Sequence, residues 1–117
     1  MAVQFKMTDE ALEMIAQRFR CMGEPMRLKI LRNLESGEKS VGELVEELGA
    51  NQANVSKHLK MLLESGLLAR RSQGTSAYYT ISDPMVLKLC ATVCEGVEEK
   101  LRHQAEGFGL TVARKRK

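Results

Sequence analysis

The stretch Ser40-Val41-Gly42-Glu43-Leu44-Val45-Glu46-Glu47-Leu48-Gly49-Ala50-Asn51-Gln52-Ala53-Asn54-Val55-Ser56-Lys57-His58-Leu59-Lys60-Met61-Leu62 decides the fold. Its first four residues have the S-x-x-E pattern of a capping box, in which serine and glutamate satisfy each other's unpaired backbone N–H groups. The helix it opens is short, with Val41, Leu44, Val45 and Leu48 on one side and three glutamates on the other. Gly49-Ala50 reads as a tight turn, and Asn51 is a good cap for a second helix running to about Ser65-Gly66. Val55, Leu59, Leu62 and Leu63 form the inward stripe of that helix. Its other face carries Gln52, Asn54, Ser56, Lys57 and Lys60. Two short helices joined by a tight turn, the second polar and basic on one face, read as a helix-turn-helix.

Downstream, the pattern changes period. Leu67 to Ser72 and Ala77 to Ile81 are short runs with aromatic or β-branched residues, separated by Gln73-Gly74-Thr75. This predicts a β-hairpin with a flexible tip. Asp83-Pro84 then caps a last helix holding Val86, Leu87, Cys90, Val93, Cys94, Val97 and Leu101 and fading near Gly107. Upstream, Thr8 is the expected cap of a first helix whose Asp9 and Glu10 complement the helix dipole. Ala11, Leu12, Ile15, Ala16, Phe19 and Met22 give it one apolar stripe, which Gly23 ends. Pro25 restarts a second helix at the first helical position, where its missing N–H costs nothing, and Ser36-Gly37 stops it. The fold class expected is mostly α with a small β-hairpin. Residues 1–110 are expected to form a single domain and residues 111–117 a basic, disordered tail.

A chain of 117 residues with 44% hydrophobic and 28% charged residues has room for one modest core and no separate catalytic domain. No apolar run approaches the roughly 18 residues needed to span a bilayer, and the N-terminus lacks the pattern of a secretory signal. Three cysteines are an odd count, too sparse for a disulfide scaffold, and suit a reducing cytoplasm.

Charge is unevenly spread. Glu43, Glu46 and Glu47 stand without a base in the first helix of the helix-turn-helix. Lys57, Lys60, Arg70 and Arg71 follow against Glu64 alone, and the chain ends in Arg114-Lys115-Arg116-Lys117. Positive charge gathered this way suits a polyanion. The second helix would enter the major groove of double-stranded DNA, about 12 Å wide, where Gln52, Asn54, Ser56, Lys57 and Lys60 read base edges or hold phosphates. His58 lies at the edge of that face, as a phosphate contact or in helix packing. Arg70, Arg71, Gln73 and Thr75 on the hairpin suit a neighbouring backbone or minor groove. A helix-turn-helix followed by a hairpin is the winged-helix arrangement.

Four segments in order, Gly23 to Leu31, Ser40 to Leu44, Asn51 to Leu62, and Gly66-Leu67-Leu68 leading to Tyr78-Tyr79-Thr80-Ile81, resemble the ArsR/SmtB family of winged-helix bacterial repressors. The resemblance covers roughly residues 8–105. It implies a homodimer joined through the first and last helices, a palindromic operator, and release from DNA by a metal or a thiol-reactive signal. Where the family places a Cys-x-Cys metal pair, this chain has Ser40 and Gly42, so that site is absent. Of the family's zinc site on the last helix, Asp83 and Glu99 are retained, but Met85 and Gly96 stand where histidines are required. Both departures argue against zinc. Persulfide-sensing members use two cysteines at positions that here are Arg32 and Glu98.

Cys21, Cys90 and Cys94 remain. Cys90 and Cys94 are four apart on one helix and share a face. With Cys21 they would chelate As(III) or another thiophilic ion, or one would pair with Cys21 in a regulatory disulfide or persulfide bridge. The bland alternative is that all three are small buried hydrophobes. A pure protein-interaction module is the rival functional class. An enzyme is disfavoured because Cys21 with His103 is the only nucleophile–base pairing on offer.

Overall fold

The computed structural model describes residues 6–111. Its elements are α1 (Asp9–Met22), α2 (Pro25–Leu34), β1 (Lys39–Ser40), α3 (Val41–Leu48), α4 (Gln52–Glu64), β2 (Leu68–Gln73), β3 (Ser76–Ile81) and α5 (Met85–Gly107). The basic run from Arg114 to Lys117 lies outside the described residues.

Caps set the helix starts where the sequence puts them. Thr8 accepts the Ala11 N–H at 3.1 Å, Pro25 occupies the first turn of α2, and Asn51 accepts the Asn54 N–H at 2.7 Å. At α3 both halves of the capping box form: the Glu43 N–H donates to Ser40 Oγ at 3.2 Å, and the Ser40 N–H donates to Glu43 Oε1 at 3.0 Å. Such a cap stabilises a helix start by about 1 kcal/mol. Gly49 ends α3 with φ of 62°, the left-handed conformation that glycine adopts without a side-chain penalty, and its N–H donates to the Val45 carbonyl. That reversal aims α4 away from α3 within three residues.

The core beneath the helix-turn-helix comes from Ile30, Leu31 and Leu34 of α2, Leu44 of α3, and Val55, Leu59 and Leu62 of α4, closed by Leu67, Leu68 and Tyr79. Each fully buried aliphatic side chain stabilises the fold by about 1.5–3 kcal/mol. On α3 only Leu44 is fully covered; Val41, Val45 and Leu48 are half-buried because the helix lies at the rim of the core.

The sheet is antiparallel with strand order β1-β3-β2. Gln73 pairs with Ser76, so the hairpin strands reach the tip and leave a two-residue turn, Gly74-Thr75, instead of the three-residue tip expected. Gly74 supplies the positive φ, 61°, that such a turn needs at its first central residue. β1 adds a third strand that the sequence did not announce, pairing Lys39 with Tyr79 and Ser40 with Tyr78. Two residues are too few to display an alternating pattern.

Residues through Asp83 make one compact unit, and residues from Pro84 a second. In the first, Arg18 Nη1 donates to Asp83 Oδ2 at 2.5 Å. The cap expected from Asp83-Pro84 takes a different form: Pro84 is itself the N-cap, and no side-chain cap bond forms there. In the second unit, α5 carries an Arg102–Glu99 ion pair and ends at Gly107 as expected. No helix among the described residues is long and apolar enough to cross a membrane.

Candidate nucleic-acid interface

Helical spacing splits α4 into two faces. Val55, Leu59 and Leu62 are sealed in the core, which fixes the helix against rotation. Gln52, Ser56, Lys57 and Lys60 are exposed, and Asn54 is half-buried beside the N-cap bond. The acids of α3 that would oppose a phosphate backbone are largely engaged. Glu43 closes the capping box, which holds its carboxyl below the usual carboxylate range through the Ser40 N–H and hydroxyl. Glu47 pairs with Lys39 at 2.6 Å. The exposed cations of α4 therefore dominate its outer face.

His58 departs from its neighbours. It is 5% exposed, packed between α2 and α4, and its Nδ1 accepts the Arg27 Nε–H at 3.1 Å. Of the two roles expected for it, helix packing is the one its burial fits; a side chain so enclosed is withdrawn from any phosphate. Burial lowers its pKa, with Arg27 and Lys57 adding to the shift and Glu24 opposing it. Arg27 is a hub that the sequence did not single out. It also donates to the Cys21 carbonyl at 2.9 Å and to Met61 Sδ at 3.1 Å, tying the end of α1 and the start of α2 to α4. The signal available was an arginine two residues after a helix-starting proline, and nothing in its type distinguished it from a surface base.

The hairpin presents its two arginines to opposite faces. Opposed residues in an antiparallel pair share a face. Arg70 lies opposite Tyr79 and, like it, on the side of buried Leu68, the face that packs toward the helices. Beyond that covered base Arg70 is exposed, with Ser72 Oγ 3.2 Å from Nη1. Arg71 lies opposite Tyr78 on the other face. Its Nε and Nη2 donate to the two carboxylate oxygens of Glu38 at 3.0 and 2.6 Å, and its Nη1 to Gln73 Oε1 at 2.6 Å. The guanidinium carbon sits 4.9 Å from the Tyr78 ring centroid, a cation–π contact. The pair perturbs both members consistently: the Arg71 hydrogen bond lowers the Glu38 pKa, and Glu38 raises that of Arg71. Gln73 is thereby turned toward Arg71, while Thr75 is exposed at the tip.

The cysteines have three different environments. Cys21 is buried, with Ser65 Oγ 3.2 Å and the Met61 carbonyl 3.6 Å from its sulfur, at the last turn of α4. Cys90 is half-buried on α5 and Cys94 exposed. Among the described residues, no group of three or more His, Cys, Asp or Glu is placed to hold a metal ion. At the Cys-x-Cys positions, Ser40 caps α3 and Gly42 lies in its first turn.

A helix-turn-helix on a sealed core, its second helix polar and basic outward and followed by a cationic hairpin, defines a winged-helix protein of the transcription-regulator class. The comparisons narrow this. The sequence pattern of bacterial regulatory proteins of the ArsR family matches residues 24–70. The arsenical resistance operon repressor of Bacillus subtilis is 33% identical over 78 residues, 66% of this chain and 74% of that protein. The probable mercury resistance operon repressor of Streptomyces lividans is 38% identical over 74 residues, 63% of this chain, which spans 59% of that protein's length. Among solved structures, the homodimeric winged helix-turn-helix DNA-binding domain of a possible ArsR-family transcriptional regulator from Mycobacterium bovis superposes with a TM-score of 0.74. It is 32% identical, covering 88% of this chain and 95% of that one. The chain belongs to the ArsR family and is a winged-helix transcriptional repressor of that type, not an enzyme.

Proposed function

We propose that the chain acts as a homodimer on a palindromic operator, inserting α4 of each protomer into successive major grooves about 34–36 Å apart. Gln52, Asn54 and Ser56 read base edges, Lys57 and Lys60 hold phosphates, and the wing follows the backbone through Arg70 and the tip residue Thr75. The observation that carries this is the exposed Gln52–Ser56–Lys57–Lys60 face on a helix locked by fully buried Val55, Leu59 and Leu62. The dimer forms through α1 and α5. Leu12 and Phe19 on the first, and Val93, Val97 and Leu101 on the second, each keep 50–58% of their surface exposed. Apolar rows of that size call for a partner.

Release from DNA follows a thiol-directed signal at Cys21, Cys90 and Cys94, either a thiophilic ion such as As(III) or reactive sulfur. Two things support this. Relatives carry the names of arsenical and mercury resistance repressors. In addition, the Cys21 sulfur touches the last turn of α4, so a change there bears on the reading helix. The test is a fluorescence-anisotropy titration of reduced protein onto the duplex upstream of its own coding sequence, with and without arsenite or an organic polysulfide. Loss of binding with either reagent, abolished in Cys90→Ser and Cys94→Ser variants, is the expected result. Release that survives both substitutions, or binding indifferent to both reagents, would leave the cysteines as core and surface packing.

A further inference from the structure

We propose that Glu38 is an internal competitor for the DNA phosphates: it holds Arg71 on the outer face of the wing, so that each wing offers DNA one working cation, Arg70, and not two. The inference rests on the operator-binding reading above. The two adjacent arginines of the wing are held differently. Both are exposed, and both are suited by type to a phosphate. Arg70 continues the sheet face that packs toward the helices, and its hydrogen-bond neighbour is a neutral hydroxyl, Ser72. Arg71 is turned to the opposite face and held on three sides. Glu38 takes it in the two-pronged geometry that matches a guanidinium to a carboxylate, Gln73 takes a further N–H, and Tyr78 lies against its plane.

An exposed ion pair alone is a weak restraint, about 0–1 kcal/mol. The stronger effect is what departure of Arg71 would leave behind. Glu38 sits on the segment entering β1, and β1 is hydrogen-bonded to β3, so its carboxylate cannot leave the wing with the arginine. A phosphate drawing Arg71 away would then face an unpaired carboxylate beside it. With the pair intact, the two charges cancel and the outer face of the wing is neutral toward DNA. The consequence is a lower sequence-independent affinity than the count of basic residues implies, because each phosphate contact adds its own salt-dependent, base-blind increment.

The experiment measures the salt dependence of binding to a fluorescein-labelled duplex from the DNA upstream of the protein's own coding sequence, between about 50 and 200 mM salt. Glu38→Gln keeps the shape of the side chain and frees Arg71. The slope of log K against log salt is expected to steepen by about 0.9 per wing, with tighter binding at every salt concentration. The double variant Glu38→Gln/Arg71→Gln removes both charges and is expected to return to the parent slope. An unchanged slope in Glu38→Gln overturns the proposal. So does a double variant shallower than the parent, since Arg71 would then already be a phosphate contact. Thermal melts of both variants confirm that each remains folded. Lys57→Gln, measured in parallel, separates the two levels: a parent protein without salt-sensitive binding that Lys57→Gln weakens contradicts the operator reading itself.

Discussion

The Nδ1 atom of His58 accepts the Nε–H of Arg27, which commits the neutral ring to carrying its proton on Nε2. Protonating Nδ1 would break that bond and set two cations together in the packing of α2 on α4, with Lys57 adding to the repulsion and Glu24 the counter-charge. The folded-state pKa therefore lies below the unfolded value of about 6.5. Well above pH 6.5 both states are neutral and the group has no effect on stability. As pH falls below that, the unfolded chain takes up a proton that the folded chain refuses, and stability declines until the folded pKa is reached. Urea unfolding from pH 7.5 to 5.0 is expected to show this decline and, in His58→Gln, a shallower one. Equal pH dependence in the two proteins would remove His58 from the account. The burial of His58 was legible in the spacing, because positions 55, 58, 59 and 62 form one helical stripe. Its polar type pointed outward instead, and the partner that makes burial tolerable, Arg27, stands 31 residues away in sequence.

Helix starts were readable because a cap is a local bargain between residues two or three apart, as Thr8, Ser40 with Glu43, and Asn51 each demonstrate. Elements that depend on distant partners were not. β1 exists only because Tyr78 and Tyr79 pair with it, and the hairpin extends to Gln73 and Ser76 because ladder bonds continue past the residues whose types favour strands. The apolar rows of α1 and α5 are readable at the same level, since spacing alone puts Leu12 with Phe19 and Val93 with Val97 and Leu101. They mark these two helices as the protomer contact proposed above. Val97→Glu on α5 would bury a charge there, and sedimentation velocity is expected to show the dimer of the parent protein replaced by a monomer. A parent protein that already sediments as a monomer, or a variant that remains dimeric, would move the interface elsewhere.

At the scale of the molecule, a charge ledger drawn from sequence located the basic middle of the chain but overstated the cations free to act. Lys39 is taken by Glu47, Arg18 by Asp83 and Arg71 by Glu38, each across an element boundary that the sequence does not display. On α4 and the hairpin, Lys57, Lys60 and Arg70 stand outside these ion pairs, Arg70 having only the Ser72 hydroxyl beside it, and they are the patch proposed to meet DNA. The family assignment and the fold agree on a transcriptional repressor. Which residues grip DNA is the central claim, and one measurement bears on it most directly: anisotropy of the reduced protein on the upstream duplex at about 50 to 200 mM salt, parent against Lys57→Glu. The account predicts tight binding by the parent protein that weakens steeply and linearly in log salt, and none detectable for a folded Lys57→Glu variant. Binding by Lys57→Glu as tight as the parent's, with the same salt slope, would contradict it.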